Sequence, residues 1–123
     1  MTALVARLYR AGSETSQQTE KLRTAVDTLL KWIKDNVYPM TLPCNCEIFP
    51  SGEFVRTELS NPPHGSHQKI LHITIGHQHT VAELNAFARL IADGFLEELC
   101  NQLEKQSGVF KQAEEKIQSV LKK

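Results

Sequence analysis

The sequence predicts an α+β fold: an N-terminal long helix, a three-stranded antiparallel sheet and two C-terminal helices, within one domain spanning residues 1–123. Two observations carry this reading. Apolar residues recur at the three-and-four spacing of one helical face over residues 15–37 and again from residue 80 onward. Between those stretches, residues 44–75 alternate apolar and polar side chains, the period-two pattern of half-buried strands.

Taken in order, residues 1–12 read as an arm or a short helix through Leu4, Val5 and Leu8, ending near Gly12. Ser13, Thr15 and Ser16 then offer caps for a helix over 15–37, whose stripe is Leu22, Ala25, Val26, Leu29, Leu30, Ile33 and Val37. Pro39 follows its end, since a proline inside a helix clashes with the preceding turn and leaves a carbonyl unpaired. Residues 44–49 and 54–59 form a hairpin around Pro50, Ser51 and Gly52, and residues 69–75 form a third strand with Leu71, Ile73 and Ile75 on its core face. The segment 60–68, with adjacent prolines, a glycine and small polar residues, is a loop. Strands joined by such connections make an antiparallel meander, because a parallel pair needs a long crossover.

Thr80 and Glu83 match a capping box, in which hydroxyl and carboxylate reciprocally satisfy two amides at a helix start. The helix they open runs over 80–105, with the stripe Leu84, Phe87, Ala88, Ile91, Phe95, Leu99 and Leu103. Gly94 inside it suggests close packing against another backbone. Ser107 and Gly108 break the helix, and residues 109–121 form the last one through Phe110, Ala113, Ile117, Val120 and Leu121.

Composition excludes several functional classes. Fourteen basic and fourteen acidic residues cancel, and a pI near 7.0 leaves no field to gather a polyanion, so no nucleic-acid partner is expected. No stretch approaches the roughly 20 apolar residues of a membrane span, and the leading residues, interrupted by Arg7 and Arg10, lack the apolar run of a signal peptide. The expected localisation is cytoplasmic, without membrane association. Three cysteines, an odd number, read as free thiols rather than a disulfide framework.

Chemistry concentrates in the histidines, all five of which fall between residues 64 and 79: His64, His67, His72, His77 and His79. Imidazole serves proton transfer near neutral pH and metal ligation, so His72, His77 and His79 are the candidate catalytic residues. Cys44 and Cys46, which would share a strand face, are candidate metal ligands with His72 and His79, although structural zinc sites usually space paired cysteines by two to four residues. No glycine pattern cradles a phosphate, no serine or cysteine stands in a nucleophile motif, and no cofactor is expected.

The stretch 71–84, reading Leu-His-Ile-Thr-Ile-Gly-His-Gln-His-Thr-Val-Ala-Glu-Leu, resembles the strand, polar turn and capped helix in the small C-terminal domain of pyridoxal-phosphate enzymes of the aminotransferase fold. The resemblance spans about one tenth of the chain and implies a local β-turn-α unit. The cofactor-binding domain and its lysine have no counterpart here, so it implies no activity.

The leading functional expectation is a small non-enzymatic protein-interaction or regulatory module that self-associates, with a homodimer as the simplest form. Small domains bury proportionally less surface and often gain from association. Trp32, Tyr38, Phe110, Ile117 and Leu121 are the candidate interface residues: an edge-placed aromatic beside an apolar stripe, and a terminal stripe in need of cover. The alternatives are a small-molecule-binding protein or enzyme using the histidine-rich strand-to-helix region, and a metal-binding protein using Cys44, Cys46 and nearby histidines.

Overall fold

The computed structural model describes residues 2–59 and 66–122. Its elements are α1 (Ala3–Asn36), β1 (Cys46–Ile48), β2 (Glu53–Leu59), β3 (His67–Thr74), α2 (Val81–Ala92) and α3 (Phe95–Leu121). The α+β architecture matches the sequence expectation in its order of elements, with its helix breaks in different places; β3 begins at His67, inside the expected 60–68 loop, of which residues 60–65 lie outside the described residues.

The first difference is at the N-terminus, where residues 3–36 form one continuous helix. Gly12 sits inside it, where an added Cβ would meet no neighbouring element within 4 Å, and the cost of one exposed helical glycine, about 1 kcal/mol, does not interrupt a helix this long. The expected caps are not used as caps. Thr15 Oγ1 donates to the Ala11 carbonyl and Thr19 Oγ1 to the Thr15 carbonyl, each at 2.7 Å, so these hydroxyls fold back on the helix itself. The cap is Thr2, whose side chain accepts from the Val5 amide at 3.2 Å.

The strands pair antiparallel in the order β1-β2-β3. Phe54 stands opposite Ile48 and Ile73, and Arg56 opposite Cys46 and Leu71, which places these side chains on the face covered by helices. Glu47, Val55 and His72 are in register on the other face. A bulge between Arg56 and Thr57 leaves Ile70 unmatched in β3. The first strand is shorter than expected: Cys44 and Asn45 have φ of 59° and 57°, left-handed conformations that end the extended backbone before Cys46. Cys44 and Cys46 therefore do not share a strand face.

The second difference is in the helices after the sheet. The Thr80–Glu83 capping box opens α2 as expected, but the break falls at Asp93–Gly94, and α3 runs through Gly108 unbroken. Gly94 has φ +94°, a conformation L side chains rarely adopt, and an added Cβ would meet only Glu97 Oε2 at 3.8 Å. Its backbone angle, not close packing, explains the glycine. The apolar stripe shifts within α2, before the break, and keeps its expected members in α3. Leu90 is fully buried where Ala88 is exposed, and Phe95 and Leu99 enter the core from α3.

Val26, Leu30 and Ile33 of α1 meet Leu84, Phe87 and Leu90 of α2 in one core over the sheet. Phe54 is its hub, with ring centroids 6.0 Å from Phe87 and 5.9 Å from Phe95, the latter edge-on at 86°. The core covers only parts of the two long helices. Every residue of α1 up to Gln18 and every residue of α3 from Ser107 onward is exposed, leaving two helical arms of roughly 24 Å and 22 Å at 1.5 Å per residue. Among the described residues, no helix is long and apolar enough to cross a membrane.

Candidate interaction surfaces

The histidines are separated by the fold. His79, in the turn before α2, is 1% exposed and its Nε2 lies 2.7 Å from Asp27 Oδ1 on α1. The same helix holds the His79 backbone, since Arg23 Nε donates to its carbonyl at 3.1 Å. His72 is on the open face of the sheet, with Nε2 3.0 Å from Glu53 Oε1. That hydrogen bond, reinforced by one from Ser51, lowers the Glu53 carboxyl below its ordinary 4.5. His67 and His77 are exposed, and His64 lies outside the described residues. His72 borders a cavity of about 290 Å³ with Lys69, Ala82 and Glu83, and neither His77 nor His79 lines it. The catalytic candidates thus face different surroundings, two of them engaged by carboxylates.

The candidate metal ligands do not assemble either. Among the described residues, no group of three or more histidine, cysteine or acidic side chains is placed to hold a metal. Cys46 is buried and its thiol is pushed up to about 12, chiefly by desolvation. Cys44 is raised by burial and by its contact with Glu98, whose Oε2 accepts from Sγ at 3.3 Å. Cys100 is raised by its hydrogen bond to Glu104 at 3.4 Å. Protonated thiols are poor ligands and poor nucleophiles, because the thiolate is the reactive form.

The interface candidates all lie at the surface. Trp32 and Tyr38 are exposed near the end of α1, and Phe110, Ile117 and Leu121 are 58%, 58% and 71% exposed on the α3 arm. On α3 the positions Leu103, Gln106, Phe110, Ala113, Ile117 and Val120 alternate by three and four, the seam spacing of a coiled coil. This seam continues the buried positions Phe95 and Leu99 beyond the end of the core. The α1 arm displays Leu4, Val5, Leu8 and Tyr9 beyond its own buried seam.

A third surface escaped the sequence reading. Between β3 and α2 the 290 Å³ cavity adjoins a second of about 510 Å³, and both are bordered by Ile70, Leu71 and Ala86. Arg56 and Arg89 enter the larger one; Arg56 is held by Asp93 at 3.0 Å, and Arg89 has no side-chain partner among the described residues. The relevant sequence signal was the stripe Ala82, Ala86, Arg89, Asp93, at four-three-four spacing on the flank of α2 beside its buried face. Small residues at helical spacing inside a charged stripe mark a flank open to close approach, but they announce no chemistry by residue type. No family model, curated protein or solved structure matches the chain.

Proposed function

We propose that this chain is a non-enzymatic protein-interaction module that self-associates, with the helical arms of α1 and α3 as its contact elements. One observation supports the reading: the apolar seam of α3 runs past the core onto an arm that none of the described residues covers, with Phe110 and Ile117 on the seam and Leu121 beside its end. Scattered exposed apolar residues are ordinary, but a seam with alternating three-and-four spacing is what one helix offers another. The histidine-based alternatives lack equivalent support, because the rings of His79 and His72 are engaged by Asp27 and Glu53. Three unpaired cysteines fit a reducing compartment such as the cytoplasm.

The test is light scattering on the whole chain across a concentration series, beside the double variant Phe110→Glu, Ile117→Glu. Both positions are exposed, so the variant retains its helical circular dichroism while its assembly mass falls. Equal masses for the two proteins at every concentration would remove the arms from the account.

A further inference from the structure

The exposed seam of α3 points the same way as the face that this helix buries. At about 100° per residue, Phe95, Leu99 and Leu103, which pack into or against the core, share their direction with Phe110, Ala113 and Ile117 on the arm. The body of the domain therefore lies on the seam side of α3, level with residues 95–103. The Phe95 ring is 5.9 Å from that of Phe54, and the Gln102 amide donates to the Thr41 carbonyl.

That placement decides how a second helix can use the arm. Packed helices lie about 8–10 Å apart, so a helix laid on the seam and continued toward residue 95 runs into the body of the domain. A parallel, in-register copy does this, because its own residues 95–103 and the body attached to them would fall in space already filled. An antiparallel copy ends at the rim of the body near Leu103 and carries its own body beyond the tip of the first arm. The arm also selects its own kind. On the α1 arm Leu4, Val5, Leu8 and Tyr9 are followed by residues 12–19, which include no apolar side chain, so among the described helices only another α3 arm offers a seam of matching length. In an antiparallel pair, seam positions of one helix face those of the other. With the two-fold axis between Phe110 and Ala113, Phe110 faces Ala113 of the second copy, a large side chain against a small one, and Val120 reaches Leu103 at the rim. Lys116 then lies beside Val109 of the second copy and Glu114 beside Ser107, so no like charges meet. A register one heptad toward the tips sets Lys116 against Lys116 and Glu114 against Glu114, and one heptad the other way drives the tip into the body.

We infer that the α3 arms of two copies of this chain pair antiparallel about a two-fold axis between Phe110 and Ala113, covering Phe110 and Ile117 and bringing Leu121 of each copy beside Cys100 of the other. The interface closes on itself, as a two-fold contact does. The inference rests on the self-association reading and narrows its contact to α3 against α3.

The experiment uses the full chain with Cys44→Ser, which keeps a donor for Glu98, and a short bismaleimide; Cys46 is buried and Cys100 exposed. Light scattering across a concentration series follows association in every protein. Leu121→Cys, added to this background, crosslinks to a covalent dimer through Cys100 of the other copy. With Cys100→Ser also present the dimer mass in light scattering is unchanged but the crosslink is lost, because in the antiparallel pair the two introduced cysteines stand roughly 28 Å apart at 1.5 Å per residue. Adding Phe110→Glu and Ile117→Glu to the crosslinking protein abolishes both dimer mass and crosslink. A crosslink that survives Cys100→Ser would put the two tips together, as in a parallel pair, and a dimer that crosslinks in neither protein would put the contact elsewhere. Either result overturns the antiparallel α3 pair and leaves self-association standing, whereas a monomer at every concentration overturns both.

Discussion

His79 and Asp27 are 52 positions apart in sequence and 2.7 Å apart in the fold, joining the β3–α2 turn to the middle of α1 through Nε2 and Oδ1. The ring is 1% exposed, so the carboxylate satisfies a group that water does not reach. Arg23, one turn earlier on α1, binds the His79 carbonyl and anchors the same residue from its backbone side. A residue that looks like an acid-base candidate in the sequence is here a fastener between two helices.

The first prediction follows from that contact. His79→Ala removes a packed ring and a buried hydrogen bond, destabilising the fold by about 2–4 kcal/mol. Asp27→Ala leaves the imidazole in place without its partner, at about 1–3 kcal/mol. The two changes are strongly non-additive, and a double-mutant cycle by urea denaturation should give a coupling of about 1–2 kcal/mol. Additive losses would show that the pair does not cooperate.

Glycines 94 and 108 make a second prediction, with opposite signs. Gly94→Ala forces a Cβ onto a backbone at φ +94° and costs about 1–2 kcal/mol, because the αL conformation penalises L side chains. Gly108→Ala, in an exposed helix interior with nothing within 4 Å, stabilises by up to about 1 kcal/mol. Thermal denaturation of both variants against the parent decides it; a stabilising Gly94→Ala would mean that the break between α2 and α3 lies elsewhere.

These glycines also show what the sequence could and could not disclose. The capping box was legible because Thr80 and Glu83 satisfy each other within one turn, and the strands were legible because alternation is local. The location of the helix break was not, since Gly94 and Gly108 are the same residue type and only the fold requires a positive φ at one. Continuity of α1 through Gly12 was hidden for a related reason: Ser13, Thr15 and Ser16 serve equally as caps or as residues whose hydroxyls bond back to the preceding turn. At the candidate sites, the histidine cluster was visible as composition, but its partners Asp27 and Glu53 come from other elements. The flank of α2 was overlooked because alanine carries no chemical signal.

A third prediction concerns the thiols. The Cys46 thiol, raised by burial to about 12 against 9.0 for a solvated one, remains protonated in the folded chain where the unfolded chain ionises. The folded state therefore binds more protons above pH 9, and the contribution of this group to stability, full below pH 9, is lost as pH rises toward 12. Stability measured from pH 8 upward should fall more steeply in the parent than in Cys46→Ala. Iodoacetamide at pH 8 should label Cys46 only on unfolding, and rapid labelling of the native chain at that position would contradict its burial.

The start of α2 supplies the fourth. Thr80 Oγ1 accepts from the Glu83 amide at 3.1 Å and Glu83 Oε1 from the Thr80 amide at 2.7 Å, so each side chain removes one orphan donor from the helix end. Thr80→Ala should cost about 1 kcal/mol. The hydrogen bond from the Thr80 backbone lowers the Glu83 carboxyl below 4.5, which means that the folded state keeps the carboxylate at pH values where the unfolded chain protonates it. The stabilisation is therefore full above pH 4.5 and is lost as pH falls through the lowered folded value. Glu83→Gln keeps an acceptor at this position but has no carboxyl to titrate, so its stability should vary less than the parent's between pH 5 and pH 3. Parallel pH dependences for the two proteins would mean that the carboxylate, although within hydrogen-bonding distance of the amide, gains nothing from it that water does not already give.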